Sequence, residues 1–115
     1  GDVTANRAKV YQVGVRNAFR FAVDDQTGLL YLGDVGWNNW EEINSGGPGA
    51  NFGWPYYEGG SGTSVRNVGY QDLPEAQAFY ASGAAVTASL LGFSHQTDGA
   101  SAIVMGDVYR GTVYP

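Results

Sequence analysis

Apolar and polar positions alternate most clearly at residues 19–23, where Phe19, Phe21 and Val23 are separated by Arg20 and Ala22. That period of two predicts a strand with one apolar face and one mixed face. A second strand is predicted at 29–33, opening on the continuous apolar run LLYL, as expected of a strand covered on both faces. Between them, residues 24–28 (DDQTG) supply Asp and Thr for local backbone bonds and a Gly able to take positive φ. This is the chemistry of a hairpin turn. Residues 9–15 (KVYQVGV) also read as a strand, with Gly14 suited to a bulge. A shorter strand is expected at 41–44, and these segments together predict an antiparallel meander.

Beyond residue 45 the pattern is less regular. SGGPGA at 45–50 is a turn, 51–60 (NFGWPYYEGG) is irregular and aromatic, and 61–69 reads as an exposed loop. Helical periodicity is weak throughout, and 74–82 (PEAQAFYAS) is the best place for a helical turn. The last strands are expected at 88–93 and 103–109, on either side of a polar loop at 94–101. Eighteen glycines are roughly twice the usual share of about 7 per cent, and 14 per cent aromatics argue against a disordered tract. The expected class is therefore all-β with many tight turns, in one domain over residues 1–115. Strand-like runs close to both ends lead us to expect a piece of a larger sheet protein.

The net charge is −5 and Lys9 is the one lysine, a balance that repels a phosphate backbone, so no nucleic-acid partner is expected. The absence of cysteine excludes disulfides, thiolate metal sites and Cys nucleophiles. No apolar run approaches about 18 residues, and no basic leader precedes an apolar stretch, so no membrane insertion is expected.

Several residues could carry chemistry. Arg16-Asn17 falls between two predicted strands. A guanidinium and an amide there suit a planar anionic ligand, or else loop carbonyls and a turn cap, and residue chemistry alone favours the plainer reading. Residues 34–42 (DVGWNNWEE) offer acids, amides and a glycine in an irregular loop, as hard cations prefer, although the acid spacing of an EF-hand is missing. Glu41 and Glu42 are adjacent and should point to opposite faces of a strand, which makes them a poor glycosidase pair. The plain alternative has one of them exposed and the other in a salt bridge. Trp37, Trp40, Trp54, Tyr56 and Tyr57 could form a stacking platform for a sugar or a flat cofactor or else fill a core; core packing is expected of Trp54 and ligand contact of Trp37. His95 reads as a loop histidine, and Asp24-Asp25 as turn chemistry.

The ordered set Val15-Arg16-Asn17, FRFAVDDQTGLLYLGDVGWNNWEEIN, and Asn51-Phe52-Gly53-Trp54-Pro55 resembles the soluble glucose/sorbosone dehydrogenase family. Val108-Tyr109-Arg110-Gly111 with Tyr114-Pro115 resembles that family's Y-R-G…Y-P segment. The resemblance implies a pyrroloquinoline quinone (PQQ)-dependent aldose dehydrogenase built as a six-bladed β-propeller, of which this length supplies about two blades.

The same resemblance implies roles at matching positions. Arg16 and Asn17 would contact the quinone. The backbone carbonyls of Gly36 and Trp37 would bind a calcium that polarises the cofactor, and Glu42 with the Phe52 carbonyl would bind a second, structural calcium. Ala18 stands where the family usually has proline. In the family a histidine base removes the hydroxyl proton of the sugar while hydride passes to the quinone. That histidine is expected before this segment and His95 does not match it, so the fragment alone is expected to be inactive. The competing expectation is a non-catalytic calcium-binding propeller module for protein or carbohydrate interaction. The expected partner is a small sugar, the expected location periplasmic or extracellular, and the expected hazard self-association through exposed edge strands.

Overall fold

The hairpin predicted around residues 24–28 organises the sheet. In the computed structural model, which describes residues 3–114, β2 (Ala18–Val23) and β3 (Leu30–Asp34) are joined by a turn that Asp24 holds together. The Asp24 amide donates to Leu29 O (2.9 Å), its carbonyl accepts from Gly28 N (2.7 Å), and its carboxylate accepts from Thr27 Oγ1. Gly28 takes φ +70°, a conformation that a side chain disfavours. β3 then pairs antiparallel with β4 (Trp40–Gly46), and β4 with β6 (Leu91–Ser94), giving one antiparallel sheet in the order β2-β3-β4-β6. Four antiparallel strands are the content of one propeller blade. The fold is all-β with one short helix, as expected, and is consistent with a partial propeller.

Two strand predictions need correction. The first predicted strand shrinks to β1 (Gln12–Val13), preceded by a 3-10 turn at Asn6–Lys9. It pairs parallel with β5 (Ala50–Asn51) and stays out of the meander. Gly14 is the physical reason: its φ of +75° ends the extended run, and its bare Cα packs against Asn51 and Gly53. Residues 103–109 form no strand despite their β-branched composition. Strand preference depends on a partner to pair with, and this segment instead crosses Gly33, where a Cβ would stand 2.8 Å from Met105 N.

The helical turn expected at 74–82 is α1 (Pro74–Ala81), with proline in its first turn, where the missing N–H costs nothing. Its Ala76 is buried, and its Phe79 and Tyr80 pack against Tyr56 and Tyr57 with ring centroids 5.1–6.4 Å apart.

The apolar core is thin, with Leu32, Phe52 and Ala76 fully buried. The apolar face predicted on β2 exists but is bare: Phe19 and Phe21 are 70% and 64% exposed. The 29–32 run is covered only at its end, since Leu32 is buried while Leu29 is exposed and Leu30 and Tyr31 are half-buried. β2 is an edge strand and no second layer covers it among the described residues. The accessible surface of 7253 Å² exceeds the roughly 6,000 Å² expected of a compact chain of 12.2 kDa, in keeping with a slab of 50 × 45 × 20 Å.

Candidate functional site

The sheet end opposite the hairpin gathers most of the candidate residues. Asp34, the last residue of β3, is buried and turns its carboxylate toward the chain entering β2. Its Oδ2 accepts the Arg16 amide (3.0 Å) and its Oδ1 the Asn17 amide (2.7 Å), while Asn17 O accepts from Val35 N (3.2 Å). The corner is thus fixed by its backbone, leaving the Arg16 side chain to project. Arg16 Nη1 donates to Gly36 O (2.8 Å) and Val35 O (3.1 Å), and its guanidinium lies 5.6 Å from the centre of the Trp54 ring. Arg16 and Gly36 therefore meet. Bonding to loop carbonyls is also what the plainer reading of this arginine expects. Only one of the guanidinium's nitrogens is used in these two bonds, so further donors of the fork remain for a ligand.

The Gly36-Trp37 turn is built for close approach. A Cβ on Gly36 would stand 1.6 Å from Trp40 O and 2.9 Å from Glu58 Oε1, so only glycine fits. Gly36 N donates to Glu41 Oε2 (3.2 Å) and Trp37 N to Glu58 Oε1 (2.7 Å). The Trp37 ring, 42% exposed, packs at an edge against Trp54 (6.5 Å) and tilts against Tyr70 (5.3 Å). Trp54, expected in packing, belongs to this half-buried aromatic cluster beside Arg16 and not to the apolar core.

The charge balance is unusual. Asp34, Glu41, Glu42 and Glu58 are all buried, and Asp34 and Glu42 face each other across β3 and β4. Burial raises the Asp34 carboxyl above the ordinary aspartate range against the pull of the Arg16 and Asn17 amides, and the Glu41 charge adds to the rise. Burial likewise raises Glu42, with smaller contributions from Asp34 and Glu58. Neither Glu41 nor Glu42 is exposed, which corrects the half of the plain expectation that put one of them in solvent, while Glu41 does face a basic partner, His95. Glu41 Oε1 lies 2.7 Å from His95 Nε2, so the predicted loop histidine sits directly after β6 and is tied to the sheet.

Glu42 and Phe52 sit differently from the other candidates. Both carboxylate oxygens of Glu42 are engaged, one by Asn44 Nδ2 (2.9 Å) and the other by Gly59 N. Phe52 is buried next to β1 and β5, with its amide donating to Val13 O (3.0 Å). Among the described residues, no three His, Asp or Glu side chains are grouped to hold a metal ion.

Sequence reasoning missed Glu58. It lies 21 positions from the amide that it accepts, so no local spacing signals the contact. The available hint was a lone acid between aromatic and glycine residues, where neither helix nor strand formation calls for one.

A family model described as Glucose / Sorbosone dehydrogenase matches residues 2–97. No solved structure matches the chain.

Proposed function

The chain belongs to the glucose/sorbosone dehydrogenase family, and from that premise we propose that it forms the cofactor-holding sector of a PQQ-dependent sugar dehydrogenase. The observation that supports this most is the convergence of the Arg16 guanidinium on the Gly36 carbonyl at 2.8 Å. In this reading Arg16 and Asn17 hold an anionic quinone by charge-assisted hydrogen bonds, with the Trp37–Trp54 cluster as an apolar wall. The carbonyls of Gly36 and Trp37 would hold a calcium ion. Gly36 O already accepts from Arg16 Nη1 (2.8 Å), so a cation there would use the second lone pair of that carbonyl.

When bound, quinone and calcium would supply a hydride acceptor and a Lewis acid. The chain's own contribution is to orient: Arg16 directs positive charge to the ligand, and Asp34 keeps the Arg16-Asn17 backbone from shifting. A second calcium at Glu42 and Phe52 gains less support, since both Glu42 oxygens already accept protein hydrogen bonds. No step is assigned to that second ion. We also propose a small sugar as substrate and a periplasmic or extracellular setting.

One observation favours a second reading, a non-catalytic propeller module: the Arg16 bonds to Val35 O and Gly36 O are complete without any ligand. Reconstitution of the full-length protein with PQQ and calcium, followed by aldose-driven dye reduction, separates the two. The dehydrogenase reading expects sugar-dependent reduction that vanishes without the quinone. Quinone-independent inertness would leave the binding module.

A further inference from the structure

Two consecutive peptide groups of the 35–37 turn are gripped at both ends. The peptide joining Val35 to Gly36 presents its N–H to Glu41 Oε2 (3.2 Å) and its C=O to Arg16 Nη1 (3.1 Å). The next peptide presents the Trp37 N–H to Glu58 Oε1 (2.7 Å) and the Gly36 C=O to the same Arg16 nitrogen (2.8 Å). In a trans peptide the N–H and C=O point in opposite directions, so fixing one end aims the other. Among the described residues the only cis bond is Trp54–Pro55, so both of these are trans.

We propose that Glu41 and Glu58 are positioning residues, buried carboxylates that aim the Val35 and Gly36 carbonyls and, through them, the Arg16 guanidinium. Stability alone does not explain them. A buried carboxylate costs free energy unless it is well paired, and Glu58 Oε2 has no hydrogen-bond partner among the described residues. A polar atom left in that state asks for a reason, and the aim of the turn supplies one. A carboxylate grips an amide about twice as firmly as a neutral acceptor does, which suits a turn that must not rotate. Glu58 also joins regions far apart in sequence: its own amide donates to Val65 O (2.9 Å), anchoring it to the 56–67 loop. Glu41 is braced from the other side by His95 Nε2 at 2.7 Å.

The relevance to a bound ligand rests on the cofactor-holding role proposed for Arg16 and Gly36, but the positioning itself is read without any ligand. The test is amide hydrogen exchange by NMR on the purified protein, comparing wild type with E58A and E58Q, together with a PQQ titration in calcium. Wild type should protect both the Gly36 and Trp37 amides. E58A should lower protection at Trp37 about tenfold or more, with distant amides of β2 and β3 unchanged. E58Q retains an acceptor oxygen and should restore most of that protection. Quinone affinity should follow the same order, falling about tenfold or more in E58A and recovering in E58Q. Unprotected Gly36 and Trp37 amides in wild type would overturn the proposal even if E58A does not fold. Unchanged Trp37 protection in E58A would do the same. A wild type that protects both amides and takes up no quinone would instead defeat the cofactor reading and leave the positioning intact.

Discussion

At the hairpin end of β2 and β3, Asp24 is matched by a cation. Arg110 Nε donates to its Oδ1 (2.9 Å) and Arg110 Nη2 to its Oδ2. The Arg110 guanidinium, followed by the Thr27 hydroxyl, pulls the Asp24 carboxyl well below the ordinary aspartate range. At the other end of β3, Asp34 accepts only backbone amides, and burial pushes its carboxyl the opposite way. One end closes a turn with an ion pair. The other holds Asp34, Glu41, Glu42 and Glu58 inside the protein with Arg16 aimed away, at two carbonyls. Burying four acids with no arginine or lysine among the described residues bound to their carboxylates is costly unless amides and His95 satisfy them, which sets this end apart from the matched pair at the other.

The two ends also differ in what their glycines tolerate. G36A places a methyl group against Trp40 O and Glu58, and should cost about 3 kcal/mol or more in urea unfolding or abolish folding. D34A leaves the Arg16 and Asn17 amides without an acceptor and should cost about 2 kcal/mol, with D34N milder because one oxygen remains. G28A meets nothing within 4 Å and carries only the strain of its positive φ, about 1 kcal/mol. If G28A proved as damaging as G36A, the contrast between a packed turn and an open one would fail.

The smallest expected effect is R110A, read as a pH dependence, because the Arg110 side chain is 42% exposed and screened by solvent. Asp24 is more acidic in the folded state than unfolded. It therefore adds stability above about pH 4, which is lost as pH falls toward its lowered folded value. R110A should be less stable than wild type at neutral pH, with the two curves converging in acid. Asp34 has the opposite sign: with its folded carboxyl raised, its contribution falls as pH rises from the ordinary aspartate value through the raised one. In a urea-midpoint profile the Asp24 effect lies below the ordinary aspartate value and the Asp34 effect above it.

The sequence shows the hairpin end plainly. Residues 24–28 carry turn chemistry in consecutive positions, and 19–23 carry the strand period, so nothing distant is needed to read them. The proline-led helix was legible for the same local reason. The site end was legible only in outline. Arg16-Asn17 and Gly36-Trp37 stand out as residue types, but their meeting depends on β2 and β3 pairing and on carboxylates from three separate segments. Glu58 and His95 reach Trp37 and Glu41 across 21 and 54 positions, spans that no periodicity reveals. Pairing of β1 with β5 failed to show because two-residue strands leave no alternation to detect. At 103–109 strand-forming composition misled, since propensity expresses itself only where a partner strand is available.

Arg16 and the Gly36 carbonyl are proposed to share one ligand. The most direct measurement is a PQQ titration in calcium of wild type and R16A, followed by the absorbance of the quinone. Arg16 is exposed, so losing its two hydrogen bonds in R16A should cost about 1 kcal/mol and leave the protein folded. The expected result is saturable uptake by wild type, weakened about tenfold or more in R16A. Equal affinity in the two proteins would contradict it.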